Sequence, residues 1–180
     1  MKDISQEQAE AIFRDYSSAV YRLALFLSKS PILADDITQD TFLQVFKKYG
    51  SYDSRRPIYP WIYKIALNIT RNTLRRQKWL VLFGEPPESG DSTTIEDRIL
   101  KNELAAELWQ EINKLTLKSR EVIVLHYYLD LKLQETAAVL GIPLGTCKSR
   151  LNSALNTLEK QLQENSLLIL KKGDDLLDII

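Results

Sequence analysis

Apolar residues recur at intervals of three and four along most of the chain, the spacing that gathers them on one face of an α-helix, and strand-like alternation is nowhere sustained. Ala9, Ile12, Phe13, Tyr16, Val20, Leu23, Ala24 and Leu27 predict a first helix with one buried face. Pro31, favoured in the first turn of a helix, opens a second, whose apolar positions Leu33, Ile37, Phe42, Val45 and Phe46 run to about Tyr49 before Gly50 ends it. Residues 50–60 hold too many breakers for a helix and read as an ordered loop. A third helix is expected from near Trp61, with Trp61, Ile62, Ile65, Ala66, Ile69 and Leu74 on its apolar side. Three helices make a compact first domain.

The stretch from Phe83 to Thr94 combines Gly, Pro, Ser and acids without periodicity and reads as a flexible linker. Helicity resumes at about Ile95, and Leu104, Leu108, Ile112 and Leu115 predict a fourth helix. Short helices over Ser119–Tyr128 and Gln134–Leu140 follow, then a tight Gly141-Ile142-Pro143 turn and a longer helix from about Gly145 to Gln163. That is the order of a helix-turn-helix. The expected fold is all-α: two small helical domains, residues 1–78 and 108–164, joined by a flexible acidic linker over 79–107 and followed by an extension over 165–180.

On the last helix Leu144, Cys147, Leu151, Leu155 and Leu158 line one side, while Thr146, Ser149, Asn152, Ser153 and Asn156 face away. Lys148 and Arg150 flank the stripe, and no acid occurs before Glu159. In a helix-turn-helix the second helix enters the major groove, and short polar groups between cations suit base edges and phosphates. From the pattern alone, a solvated helix in a bundle is the alternative.

Charge sharpens the division. The 180 residues carry 24 Lys+Arg and 24 Asp+Glu, so the net is zero. Residues 1–78 nevertheless hold 13 basic against 8 acidic side chains, residues 79–110 hold 2 against 7, and residues 111–163 hold 7 against 5. Two basic domains separated by an acidic connector fit a protein that touches phosphates with its ends.

Candidate chemistry is sparse. Cys147 and His126 are the only residues of their kinds, which excludes an internal disulfide or a Cys/His zinc cluster; no metal and no cofactor are expected. His126 lies in an apolar run and reads as a packed helix residue, and Cys147 as a core residue. With no nucleophile-base arrangement and no nucleotide-binding glycine loop, neither an enzyme nor a small-molecule substrate is expected. No apolar run reaches the roughly 20 residues of a membrane span and no signal-peptide core follows Met1, so the protein is expected in the cytoplasm.

The run Glu135-Thr136-Ala137-Ala138-Val139-Leu140-Gly141-Ile142-Pro143-Leu144-Gly145-Thr146-Cys147-Lys148-Ser149-Arg150-Leu151 resembles the C-terminal domain of extracytoplasmic-function sigma factors, usually worded E-I-A-x-x-L-x-I-P-x-G-T-V-K-S-R-L. Leu115 to Val122 before it resembles the family's L-P-x-x-x-R-E-V. The resemblance implies that Thr146, Lys148, Ser149, Arg150, Asn152 and Ser153 face the minus-thirty-five element. Thr136 replaces the customary Ile, and Ser153 stands where the family often has Arg, which removes one candidate contact.

In the first half, Ala34-Asp35-Asp36-Ile37-Thr38-Gln39-Asp40-Thr41-Phe42-Leu43 resembles A-E-D-x-x-Q-E-T-F-L, the helix that in sigma factors docks on the clamp coiled coil of RNA polymerase. Asp36, Gln39 and Asp40 share a face by spacing, which by itself also fits mere solvation. Trp61 to Asn68 resembles T-W-L-Y-R-I-A-x-N, with Pro60 in place of Thr and Trp61 expected in the core. The preceding loop, Tyr52 to Tyr59, then corresponds to the segment that captures a base from the minus-ten strand. An unpaired base needs stacking and edge hydrogen bonds, which Tyr52, Asp53, Ser54, Arg55 and Arg56 supply, while Asn68, Arg71, Asn72, Arg75 and Arg76 form a basic strip for the strand's backbone.

The resemblance covers roughly residues 9–78 and 108–163. It implies three partners: core RNA polymerase, through its clamp coiled coil and flap; promoter DNA; and an anti-sigma factor, often membrane-bound in the family. The competing reading is a stand-alone helix-turn-helix regulator, which would have no use for the Tyr52–Tyr59 loop.

Overall fold

The computed structural model describes residues 4–82 and 103–164, and every regular element among them is helical. The chain divides into two compact units, Met1–Asp91 and Ser92–Ile180. Most of the expected linker, and all of the extension over 165–180, lie outside the described residues.

In the first unit α1 spans Gln6–Ser28, α2 Pro31–Lys48 and α3 Ile58–Leu82, and each packs on the other two. Local chemistry sets the helix ends. Ser5 Oγ accepts from Gln8 N–H at 3.2 Å while Gln8 Oε1 accepts from Ser5 N–H at 3.2 Å, a reciprocal pair that satisfies two orphan donors of the first turn. α1 stops at Lys29, whose left-handed φ of 61° lets its N–H reach the Leu25 carbonyl at 2.8 Å. Ser30 then caps α2, with Pro31 in the first turn where its missing N–H costs nothing.

The core of this unit is Val20, Leu23, Ala24, Leu27, Ala34, Ile37, Val45, Ile62, Ala66 and Leu67, each almost without solvent exposure. Leu25 and Phe26 are buried as well, so the turn over residues 23–27 of α1 is covered on every side, which a one-face pattern does not anticipate. Buried Thr41 and Thr70 donate their hydroxyls to the carbonyls of Ile37 and Ala66, at 2.6 and 2.8 Å, and so cost no unpaired polar group. Phe13, assigned to the buried face by spacing, is 48% exposed and meets Phe42 edge to face at 4.9 Å.

α3 begins at Ile58, earlier than the breakers suggest, because Pro60 falls in its first turn and needs no helical donor. Its inward side is Ile62, Tyr63, Ala66, Leu67 and Thr70, rotated from the expected stripe toward the side that α1 and α2 cover.

In the second unit α4 (Glu103–Lys114), α5 (Leu117–Ile123), α6 (Leu133–Leu140) and α7 (Leu144–Glu164) follow, with α7 packed on the other three. The helix expected over Ser119–Tyr128 is two elements: α5 gives way at Val124–Tyr128 to a π-helical turn. There the Leu129 N–H reaches the Val124 carbonyl at 2.9 Å, and Asp130 adopts a left-handed φ of 51°. His126 is half-buried, and its Nδ1 meets the Leu131 carbonyl at 2.7 Å, which requires the proton on Nδ1. The sole histidine thus closes the turn that leads into α6.

Between α6 and α7, Gly141 sits at φ 69°, where a side chain would be strained, and the N–H groups of Gly141 and Ile142 close the end of α6 on Ala138 and Ala137. The buried stripe of α7 is Cys147, Leu151, Ala154, Leu158 and Leu162; Leu144 and Leu155, expected in it, are only half-buried. Burial pushes the Cys147 thiol up, away from the thiolate that a redox role needs.

Candidate nucleic-acid and polymerase interfaces

Three surfaces carry the residues singled out by the sequence. The first is the outer face of α7. Lys148, Ser149, Asn152 and Ser153 are exposed, and Thr146 and Arg150 are half-buried. At 100° per residue, Ser149, Asn152, Ser153 and Asn156 point away from the buried stripe, with Lys148 and Arg150 on opposite margins. Ser149 donates to the Thr146 carbonyl at 3.1 Å, which leaves its oxygen able to accept. With no carboxylate on α7 before Glu159, nothing repels a phosphate along these turns.

The second surface is the junction between α2 and α3. A 3-10 turn over Tyr49–Ser51 follows α2, and Tyr49, Tyr52 and Trp61 stand in sequence as a ladder of rings, 6.0 Å and then 5.3 Å between centroids and tilted by 38° and 34°. All three are half-buried, so Trp61 is not the core residue expected; it is the inner rung of a partly open aromatic stack. The Tyr52 hydroxyl donates to the Arg56 carbonyl. Desolvation raises the Tyr52 phenol further above neutrality, so it remains a donor.

Asp53 organises the rest of the loop. Its Oδ1 accepts from Arg55 Nε at 2.9 Å and its Oδ2 from Arg55 Nη2 at 3.1 Å, a two-pronged ion pair, and Arg56 Nε lies 3.6 Å from Oδ2. Oδ1 also accepts from the Arg55 N–H at 3.2 Å, and the Asp53 carbonyl from the Arg56 N–H at 3.0 Å, closing a tight turn over residues 53–56. These hydrogen bonds from Arg55 hold the Asp53 carboxyl below the usual range. Ser54 is exposed at the tip.

Along α3 from this loop, Asn68, Asn72, Arg75 and Arg76 are exposed and Arg71 half-buried. Lys64, left out of the expected strip, is exposed on the same side as Asn68, Asn72 and Arg75, opposite the buried Ala66 and Thr70. The strip is a run of cations and amides without a carboxylate.

The third surface is on α2. Asp36, Gln39 and Asp40 are exposed on one face, as their spacing implies. Helical spacing adds two apolar residues at its ends, Ile32 at 47% exposure and Leu43 at 61%. Sequence reading missed both, because neither is distinguishable from a core residue until the opposite face is seen buried. Exposed apolar ends around a polar centre suit a partner surface better than solvent.

Comparison with known proteins matches residues 12–80 to the model of Sigma-70 region 2 and residues 105–158 to that of Sigma-70, region 4. The ECF RNA polymerase sigma factor SigW of Bacillus subtilis is 31% identical over 162 residues, 83% of this chain and 86% of that protein. The ECF RNA polymerase sigma factor SigL of Mycobacterium tuberculosis is 30% identical over 163 residues, 86% and 88% of the two chains. Among solved structures, the sigma factor RpoE of Bartonella quintana, in complex with the anti-sigma factor NepR, has the same fold, with a TM-score of 0.71 at 22% identity over 86% of this chain and 96% of that one.

Proposed function

The chain belongs to the extracytoplasmic-function branch of the sigma-70 family, and from that premise we propose that its three exposed surfaces divide the work of promoter-specific initiation. α7 reads the duplex minus-thirty-five element, with Ser149, Asn152 and Ser153 at base edges and Lys148 and Arg150 toward phosphates. The Tyr49–Tyr52–Trp61 ladder and the Asp53–Arg56 turn receive an unpaired base of the minus-ten strand, and Lys64, Asn68, Arg71, Asn72, Arg75 and Arg76 follow its backbone. Ile32, Asp36, Gln39, Asp40 and Leu43 engage the clamp coiled coil of core RNA polymerase. Residues 1–78 and 108–164 act as its region 2 and region 4.

One observation carries this reading. A single chain pairs an acid-free outer face on the second helix of a helix-turn-helix with a half-buried aromatic ladder that adjoins a cationic strip. A regulator of duplex DNA alone has no use for the ladder. Melting is driven by binding energy: stacking and backbone contacts offset the lost pairing of the opened bases, and the protein supplies no catalytic residue. It works where RNA polymerase works, in the cytoplasm. An anti-sigma factor that covers the polymerase-facing surface of α2 would keep it inactive, a partner of the kind seen with the Bartonella relative.

The test adds the purified protein to bacterial core RNA polymerase and genomic fragments and sequences the transcript starts. Discrete starts that require both components and share two upstream motifs are expected. Unchanged transcription, with the protein alone shifting duplex DNA, would instead establish a stand-alone regulator.

A further inference from the structure

The turn over residues 53–56 carries more hydrogen bonds than an exposed cationic loop needs. Arg55 is 89% exposed in its side chain, yet it is held by both carboxylate oxygens of Asp53 and by its own backbone N–H. So exposed an ion pair adds little to stability, so its consequence is geometric. A guanidinium carries five N–H donors in one plane. The fork to Asp53 uses the Nε hydrogen and one on Nη2, which leaves the edge formed by Nη1 and the outer hydrogen of Nη2 facing away from the carboxylate, with two parallel donors.

We infer that Arg55 is a specificity-determining residue for the unpaired base and that Asp53 is the positioning residue that aims it. Two parallel donors match a base edge with two adjacent acceptors. Guanine offers O6 and N7, and unpaired cytosine offers O2 and N3, whereas adenine sets its amino group beside N1 and N7 and thymine sets N3–H between its two carbonyls. The turn therefore selects guanine or cytosine over adenine and thymine. The Tyr52 hydroxyl, by holding the Arg56 carbonyl, ties the turn to the aromatic ladder on which the base would stack.

This inference rests on the proposed role of the loop in receiving an unpaired base, and the experiment separates the two. Holoenzyme assembled from the full chain and core RNA polymerase selects strands from a pool of single-stranded DNA oligonucleotides with a randomised segment, and bound strands are sequenced at several salt concentrations. The native chain is expected to enrich guanine or cytosine at one position by about tenfold, the discrimination of one bidentate contact. Arg55→Lys keeps the charge and the salt dependence but loses the enrichment, because an ammonium has no fork. Asp53→Ala removes a negative charge, so overall strand affinity is held or rises while the enrichment falls, a combination that simple loop damage does not produce. Circular dichroism confirms unchanged helix content in both.

Absence of guanine or cytosine enrichment in the native chain overturns the inference. So does enrichment that survives Arg55→Lys and Arg55→Ala; if affinity then falls uniformly, Arg55 is a phosphate contact and the loop's role stands. If no loop substitution changes affinity or preference, the loop does not touch the strand and the broader reading of this surface fails with it.

Discussion

The two candidate DNA surfaces are built on opposite principles. On α7 a regular helix, anchored by Cys147, Leu151, Ala154 and Leu158, presents side chains whose direction follows from 3.6 residues per turn. At the α2–α3 junction there is no periodicity to follow. Tyr49, Tyr52 and Trp61 stack across a 3-10 turn, the Asp53 carboxylate pairs with two guanidiniums, and the Tyr52 phenol donates to the Arg56 backbone carbonyl. The contrast suits the two tasks: duplex DNA has a repeating shape that a rigid rod can match, whereas an extruded base needs a platform and a set of directed donors.

If the α7 face reads duplex independently of the ladder, Ser149→Glu should weaken holoenzyme binding to duplex promoter fragments by about a hundredfold, since a charge facing phosphates costs several kcal/mol. It should leave transcription from artificially opened templates much less affected, and filter binding on the two template types checks this. Comparable losses on both would mean that the surfaces are not separable.

Trp61→Ala should do the reverse at smaller scale. Removing a rung costs about 1 to 2 kcal/mol of stacking, roughly five- to thirtyfold in open-complex formation, with duplex affinity nearly unchanged. Permanganate footprinting of unpaired thymines reads the opening step, and native melting temperature controls for the lost packing.

The second unit relies on Gly141 to turn α6 into α7, the first on no glycine that must hold a positive φ among its described residues. Gly141→Ala should therefore cost about 1 kcal/mol by forcing a side chain into the left-handed region, seen as a lower denaturation midpoint of the second unit alone. An equal shift in both units would mean that they unfold together.

The smallest effect is the most local. Asp53 is held below the usual carboxylate range by hydrogen bonds from Arg55, so its fork is intact above the pKa of an unperturbed aspartate and is lost only as pH falls through the lower folded value. A carbon-13 NMR titration should place its midpoint below that of a free aspartate, and Arg55→Ala should return it upward.

What the sequence by itself determined is the periodic part. Helical fold class, the order of α5 to α7, the Gly141 turn and the outward set Ser149, Asn152 and Ser153 follow from spacing, because in a helix the side-chain direction is a function of residue number alone. The acidic face of α2 was legible in the same way, but not Ile32 and Leu43, whose exposure depends on where α1 and α3 stop covering them. Only the three-dimensional structure decided that Trp61 leaves the core to join Tyr49 and Tyr52, that α5 relaxes into a π turn closed by His126, and that Asp53 holds Arg55 in a two-pronged ion pair. Each of these depends on distances between groups set by packing and turn geometry, for which residue spacing carries no rule.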